Sequence, residues 1–310
     1  MIKQIIFSVL AFTAVTISAQ KNSASPYSYF GIGENFEATT VEQSSMGGVG
    51  VAAKETHHVN FINPASTADL RAATYAIGGS LSFLTIKDDN TSQSGNSTNL
   101  RYIALGFPLG NKAGMSIGLQ PFSSVGYSLL DNADENDVTL FEGEGGTNKI
   151  YANFGSYVYK GFSIGAEASY IFGNIDNSIL NQRSNTVLAT KQTESLSIRG
   201  GQFKFGAQYK RKLKNDLDLN FGSSFTLATD LSAKGSEQLY TLSLSPSGGE
   251  IPRFERYNRT KKGDVNVPLK SVFGVGFGKK DKWFVEVNQQ FQSAIETTNI
   301  ISNGNTYKYE

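Results

Sequence analysis

The sequence predicts an all-β fold: a transmembrane antiparallel up-and-down β-barrel preceded by an irregular N-terminal hatch or plug. Three observations predict it. Beyond residue 70, apolar and polar residues alternate with period two, so each extended segment carries one greasy face and one polar or small face. The apolar segments run about 10 residues, the length of a tilted strand crossing a bilayer. Short turns at Gly110-Asn111-Lys112, Lys160-Gly161, Lys214-Asn215-Asp216 and Lys279-Lys280-Asp281 alternate with long polar links at 87–98, 131–148, 174–194 and 246–252. That is the order of turns and loops in outer-membrane barrels. A soluble β-sandwich shows the same alternation. It has no reason to keep such an order, and no amphipathic helix of useful length is present to cover the apolar face.

Residues 1–20 read as a secretory signal peptide. Lys3 supplies the positive start, Ile5 to Ile17 is largely apolar, and Ser18-Ala19-Gln20 offers small residues for cleavage. The apolar run is too short for a comfortable membrane-spanning helix, and no later stretch approaches ~18 consecutive apolar residues.

Residues 21–71 form the hatch or plug segment. They lack strand periodicity and are punctuated by Gly, Asn and Pro. Placed before the first strand, such a segment sits at the periplasmic mouth or folds into the lumen, where irregular backbone does not meet lipid. Within it, Pro64 fixes its own φ and pushes Asn63 out of the helical region. The Asn63 side chain can then bond its neighbouring backbone in a tight turn.

The barrel occupies 72–310. Nine strands are expected, near 72–86, 99–109, 113–128, 149–159, 162–173, 195–212, 217–243, 255–278 and 282–297. In the fifth, Phe162, Ile164, Ala166, Ala168, Tyr170 and Phe172 alternate with Ser163, Gly165, Glu167, Ser169, Ile171 and Gly173. Glu167, Lys204, Asp218, Lys270 and Glu286 all fall on the inward set, because a lysine facing lipid at mid-depth costs ~2–4 kcal/mol. Pro268 lies inside the eighth strand and reads as a bulge or rim position. Strands seven and eight exceed a bilayer's needs and project as a β-ribbon. Nine is odd, whereas single-chain bacterial barrels close with an even count. Asn305 to Glu310 reads as the start of a tenth strand, so the chain is expected to be C-terminally truncated.

Composition excludes several functions. A net charge of +1 speaks against nucleic acid. The absence of Cys removes disulfides and thiol chemistry, and two histidines, the adjacent His57 and His58, make a poor metal centre. Gly48-Val-Gly50-Val-Ala-Ala53 fits a loose dinucleotide fingerprint but lacks the βαβ context. The acidic run from Asp131 to Glu144 lacks calcium-loop spacing and reads as a solvated outer loop. No nucleophile is set beside a base. Hence no enzyme activity, no cofactor, no metal and no nucleic-acid partner are expected.

The stretch Ser45-Met46-Gly47-Gly48-Val49-Gly50-Val51-Ala52, followed by Asn63-Pro64-Ala65-Ser66, resembles the FadL-type (OmpP/FadL/TodX) outer-membrane transport proteins. The Gln120-to-Tyr127 stretch and the Val267-Pro268 pair before a Gly-rich strand are similar to that group too. The resemblance covers essentially all of the mature chain. It implies a barrel of about 14 strands, roughly five more than are found here, with an Asn-Pro-Ala hatch motif at Asn63, Pro64 and Ala65. It also implies a channel in the cell outer membrane for passive uptake of hydrophobic small molecules such as long-chain fatty acids. Asn63, Pro64 and Ala65 would gate it, with Gly47, Gly48 and Gly50 as hinges. The expected surroundings are outer-membrane lipid and lipopolysaccharide. The alternative is a non-transporting barrel that serves as structural partner or plug in an outer-membrane secretion or assembly complex. A soluble secreted β-protein is the third reading.

Overall fold

The computed structural model describes residues 25–87, 92–134, 136–245, 249–279, 282–298 and 306–308. The signal-peptide reading at 1–20 lies outside the described residues.

One antiparallel sheet dominates. Its strands are β1 (Glu34–Asn35), β2 (Thr74–Lys87), β3 (Ser92–Leu109), β4 (Ala113–Asp134), β5 (Asp137–Tyr159), β6 (Phe162–Arg183) and β7 (Ala189–Lys212). They continue as β8 (Leu217–Thr226), β9 (Thr229–Leu244), β10 (Glu250–Val267), β11 (Lys270–Lys279), β12 (Trp283–Gln292), β13 (Glu296–Thr298) and β14 (Thr306–Lys308). β7 pairs with β8 through Lys204 to Lys212 and with β9 through Ala189 to Arg199. β8 and β9 are therefore one span, broken at Leu227-Ala228. Its neighbour β10–β11 breaks at the facing Pro268-Leu269, and β12–β13 breaks after Gln292. Proline removes a ladder hydrogen bond, and here it marks a crease that runs across three adjacent spans. Counted this way, nine spans follow each other up and down among the described residues, and the short β14 adds the start of a tenth beside β13.

The sheet is curled, barrel-like and open, as an incomplete set of strands leaves it. Among the described residues β2 pairs only with β3, and β12 only with β11. The exposure of the outward side chains agrees: Tyr75 and Phe83 on β2 are 81% and 78% exposed, against 47% for Phe205 on the doubly flanked β7.

The polar links of the sequence reading are corrected. β4 and β5 run through the acidic stretch Asp131 to Glu144, and β6 and β7 consume most of 174–194. Beyond the outward apolar band, charged and amide residues are interleaved with apolar ones such as Leu129, Val138 and Phe141. Pairing then persists through backbone hydrogen bonds without a clean period-two pattern to mark it.

The outward set is apolar and exposed: Ile164, Tyr170 and Phe172 on β6, Phe203 and Phe205 on β7, Phe221 and Phe225 on β8, and Phe273, Val275 and Phe277 on β11. The inward set is buried and, next to the short turns, polar: Ser163, Glu167, Lys204, Gln208, Asp218 and Asn220. Farther along, the concave face turns apolar. Ile171, Ile175, Leu196, Ile198, Leu231 and Val265 form one buried cluster.

Past the apolar band, β9 and β10 form the projecting ribbon. Glu237 is its electrostatic hub. It accepts from Gln192 Nε2 (2.6 Å), Tyr257 Oη (2.9 Å) and Arg259 Nε and Nη2 (3.1 and 3.0 Å). Lys261 pairs with Glu194 and lies 3.7 Å from Glu237. Burial pushes the Glu237 carboxyl up, but those hydrogen bonds and the charges of Lys261 and Arg259 outweigh it and hold it below the usual range. A depressed carboxylate contributes stability above its unfolded pKa of about 4.3, and that stability is lost as pH falls through the folded value. Amide exchange along β9–β10 is therefore expected to stay slow from neutral pH to about pH 4.5 and to accelerate below it. Glu237→Gln should exchange fast throughout. Equal exchange in both proteins at pH 6 would remove Glu237 from this role.

Candidate functional site

The concave face holds the N-terminal segment, and glycines determine how closely it docks. Gly114, Gly155, Gly165 and Gly206 are direct cross-strand partners along β4, β5, β6 and β7. They form a row with no side chains, and the 3-10 turn Pro64–Asp69 lies on it. A Cβ on Gly114 would overlap the Thr67 carbonyl, on Gly155 Thr67 and the Pro64 carbonyl, on Gly165 the Pro64–Ala65 peptide, and on Gly206 the Asn63 side chain. On β8, Gly222 makes the same allowance for the Val51 carbonyl.

Asn63 fastens the turn. It is fully buried. Its Oδ1 accepts from Ala65 N at 3.0 Å, which caps the turn. Its Nδ2 faces three carbonyls, Val51 at 2.8 Å, Ala207 of β7 at 3.1 Å and Ser223 of β8 at 3.2 Å. Ser66 Oγ donates to the Asn63 carbonyl (2.8 Å), and Thr67 Oγ1 to that of Pro64 (2.6 Å). Ala65 is fully buried, where a larger side chain has no room.

The second contact is the loop from Gly50 to Ala53. Glu286 of β12 accepts from Gly50 N (3.1 Å) and Ala52 N (2.8 Å), and Gln208 of β7 donates to the carbonyls of Val51 (2.9 Å) and Ala53 (3.0 Å). Just upstream, helix α1 (Val41–Ser45) starts with a Thr40–Gln43 capping box. Gly47 and Gly48, both at φ +80°, end it in the left-handed conformation that glycine adopts freely. Gly50, at φ +151°, packs against the Gln43 side chain. The six sequence-selected residues thus divide into two sets. Asn63, Pro64 and Ala65 sit at the wall contact, and Gly47, Gly48 and Gly50 shape the loop that leads to it.

One register step from the glycine row lies a polar belt: Ser116, Asn153, Glu167, Lys204, Thr226, Lys270 and Gln292 are consecutive cross-strand partners from β4 to β12. Glu167 is buried and bridges Lys149 and Lys204, each at 3.3 Å, while Lys204 Nζ also donates to the Phe61 carbonyl at 2.8 Å. A buried carboxylate between two ammonium groups is a paired charge that removal of either partner would leave uncompensated. At the short-turn end, Lys54 of the N-terminal segment lies 3.4 Å from Asp69 and bonds Tyr157 Oη (3.2 Å) and Ser163 Oγ (3.3 Å) of the wall.

Lys149 and the glycine row were not singled out by sequence reasoning. The signal was present in the register: all of them fall on the inward alternation, and a run of inward glycines facing one another is meaningful only once the strands are paired.

His57 and His58 sit on an exposed loop, bonded to Thr56 (2.8 Å) and beside Glu55 (3.7 Å). Among the described residues no cluster of metal-ligating side chains forms.

A family model described as BamG matches residues 1–310. No curated protein and no solved structure matches the chain. BamG is distinct from the FadL-type transporters, so the match overturns that resemblance and, with it, the fatty-acid channel, the lipid-transport and porin-like assignments and the hydrophobic small-molecule ligand. The physical reason is visible in the geometry. The Gly-rich stretch and the Asn63-Pro64-Ala65 turn are what any irregular segment needs in order to lie flat on a glycine-lined sheet, and such needs carry no transport chemistry.

Proposed function

Because this chain belongs to the BamG family, we propose that it is a non-transporting structural partner in the outer-membrane protein-assembly machinery. The family membership is the observation that carries this reading, since the family points to that machinery. Three features of the fold support it. The exposed apolar outward set, about 10 residues tall on each span, suits lipid tails. The concave face is occupied by the chain's own N-terminal segment, which suits a scaffold better than a conduit. Among the described residues the edges at β2 and β12 are unpaired, and such edges offer backbone donors and acceptors to a partner.

The test is isolation of the tagged full chain from native outer membranes in mild detergent. The expected result is a stoichiometric complex that contains the barrel-inserting subunit of the machinery, together with reduced insertion of other outer-membrane barrels on depletion. A chain recovered alone, with normal barrel insertion on depletion, would defeat the proposal. Lipid contact is checked separately. Val275→Lys, in the middle of the outward face of β11, should destabilise the protein by ~2–4 kcal/mol in bilayers, and an unchanged midpoint there would argue that this face meets something other than lipid.

A further inference from the structure

We propose that the cavity between the N-terminal segment and strands β4, β5, β7, β8, β11 and β12 binds a small oxyanion, a phosphate or carboxylate group, through Lys149, Lys204 and Lys270. This reading goes beyond the assembly role and does not depend on it. The cavity has a volume of about 480 Å³, within the range of small-molecule sites. Its lining includes all three lysines, contributed by β5, β7 and β11, so lysines from three separate strands border one space.

The charges do not balance. Lys149 and Lys204 share the single carboxylate of Glu167, which does not itself line the cavity, and the carboxylate that does, Glu37, is exposed. Three ammonium groups are thus set against two carboxylates. Lys149 and Lys204 are buried and Lys270 half-buried, and desolvated positive charge in excess is costly unless an anion accompanies it.

The neutral groups point the same way. Gln120 lines the cavity, is only 4% exposed, and its Nε2 has no hydrogen-bond partner among the described residues. Buried amide donors are rarely left unpaired. Lysine ammonium groups are donors only, and an oxyanion is the acceptor-only complement to both. Gln202, Gln290 and Gln292 add further amides around the same space. An anion there would also tie the two layers together, because Lys204 already holds the Phe61 carbonyl of the N-terminal segment while Lys270 belongs to the wall.

The experiment is titration of the purified full chain in detergent with inorganic phosphate and, separately, with acetate, at ionic strength held constant with chloride, read by calorimetry and by thermal midpoint. Saturable binding above the chloride control is expected. Phosphate outcompeting acetate assigns a phosphate-bearing ligand, and the reverse assigns a carboxylate. Lys270→Met should weaken binding by about tenfold or more, as loss of a charge-assisted hydrogen bond does, while Lys270→Arg should retain most of it. Gln120→Leu provides the same test at a neutral position if Lys270→Met fails to fold. No saturable response to either anion, or equal affinity in the wild type and the folded lysine or glutamine variant, would overturn the proposal.

Discussion

Gly165→Val is expected to unseat the N-terminal segment from the sheet. The added Cβ would meet the Pro64 carbonyl carbon and the Ala65 nitrogen, which are backbone atoms that cannot rotate away. Gly155 and Gly206, its direct partners in register, are closed by the same turn, so the turn cannot slide sideways to escape. Overpacking of a dense interior costs ~1–3 kcal/mol, and a clash between two fixed backbones belongs at or above the top of that range. The readout is limited proteolysis between residues 50 and 70 of the folded protein, with the thermal midpoint alongside. Gly201→Ala is the control, since a Cβ there meets nothing closer than the Ser169 carbonyl at 3.8 Å. Identical cleavage patterns in Gly165→Val and wild type would mean that the glycine row is not what admits the turn.

Asn63→Ala should be nearly as damaging for a different reason. It strips the Ala207 and Ser223 carbonyls of a side-chain donor, takes one of two from Val51, which keeps Gln208, and leaves the Ala65 amide without its cap. Each net hydrogen bond is worth ~0.5–1.5 kcal/mol, and each buried group left unpaired costs ~1–3 kcal/mol. A loss of roughly 3–5 kcal/mol is expected. Asn63→Asp separates donor from acceptor. It keeps the oxygen for Ala65 but turns a carboxylate towards three carbonyl oxygens, and it should be at least as destabilising as alanine. Denaturant midpoints in detergent and amide exchange at Val51 to Ala53 measure both. Losses below about 0.5 kcal/mol for both variants, the range of ordinary surface changes, would show that Asn63 is not the fastening.

Much of the fold was legible because period-two alternation is a one-bit signal repeated along every span. The pattern at Phe162 to Phe172 states both that a strand is present and which face is oily, and the inward placement of Glu167, Lys204 and Asp218 follows from it. Even the interruption at Pro268 was readable from the missing donor. The distal halves of β4 to β7 were not readable, since the acidic residues between Asp131 and Glu144 break up the alternation, and the partners of Asp137 to Glu144 on β6 come from the distant stretch Asp176 to Arg183. The docking site was half legible. Asn63-Pro64 announced a turn, but nothing in a single chain says that Gly114, Gly155, Gly165 and Gly206 will stand side by side to receive it. The FadL-type resemblance failed at this level: it read a packing requirement as a function.

The Asn63 clamp also sets a timetable. Two of its carbonyl partners lie 144 and 160 residues downstream, yet the clamp sits near the start of the chain. The turn can be fastened only after β7 and β8 have formed. Contacts of such long sequence separation form slowly, so docking of the N-terminal segment is a late event in folding.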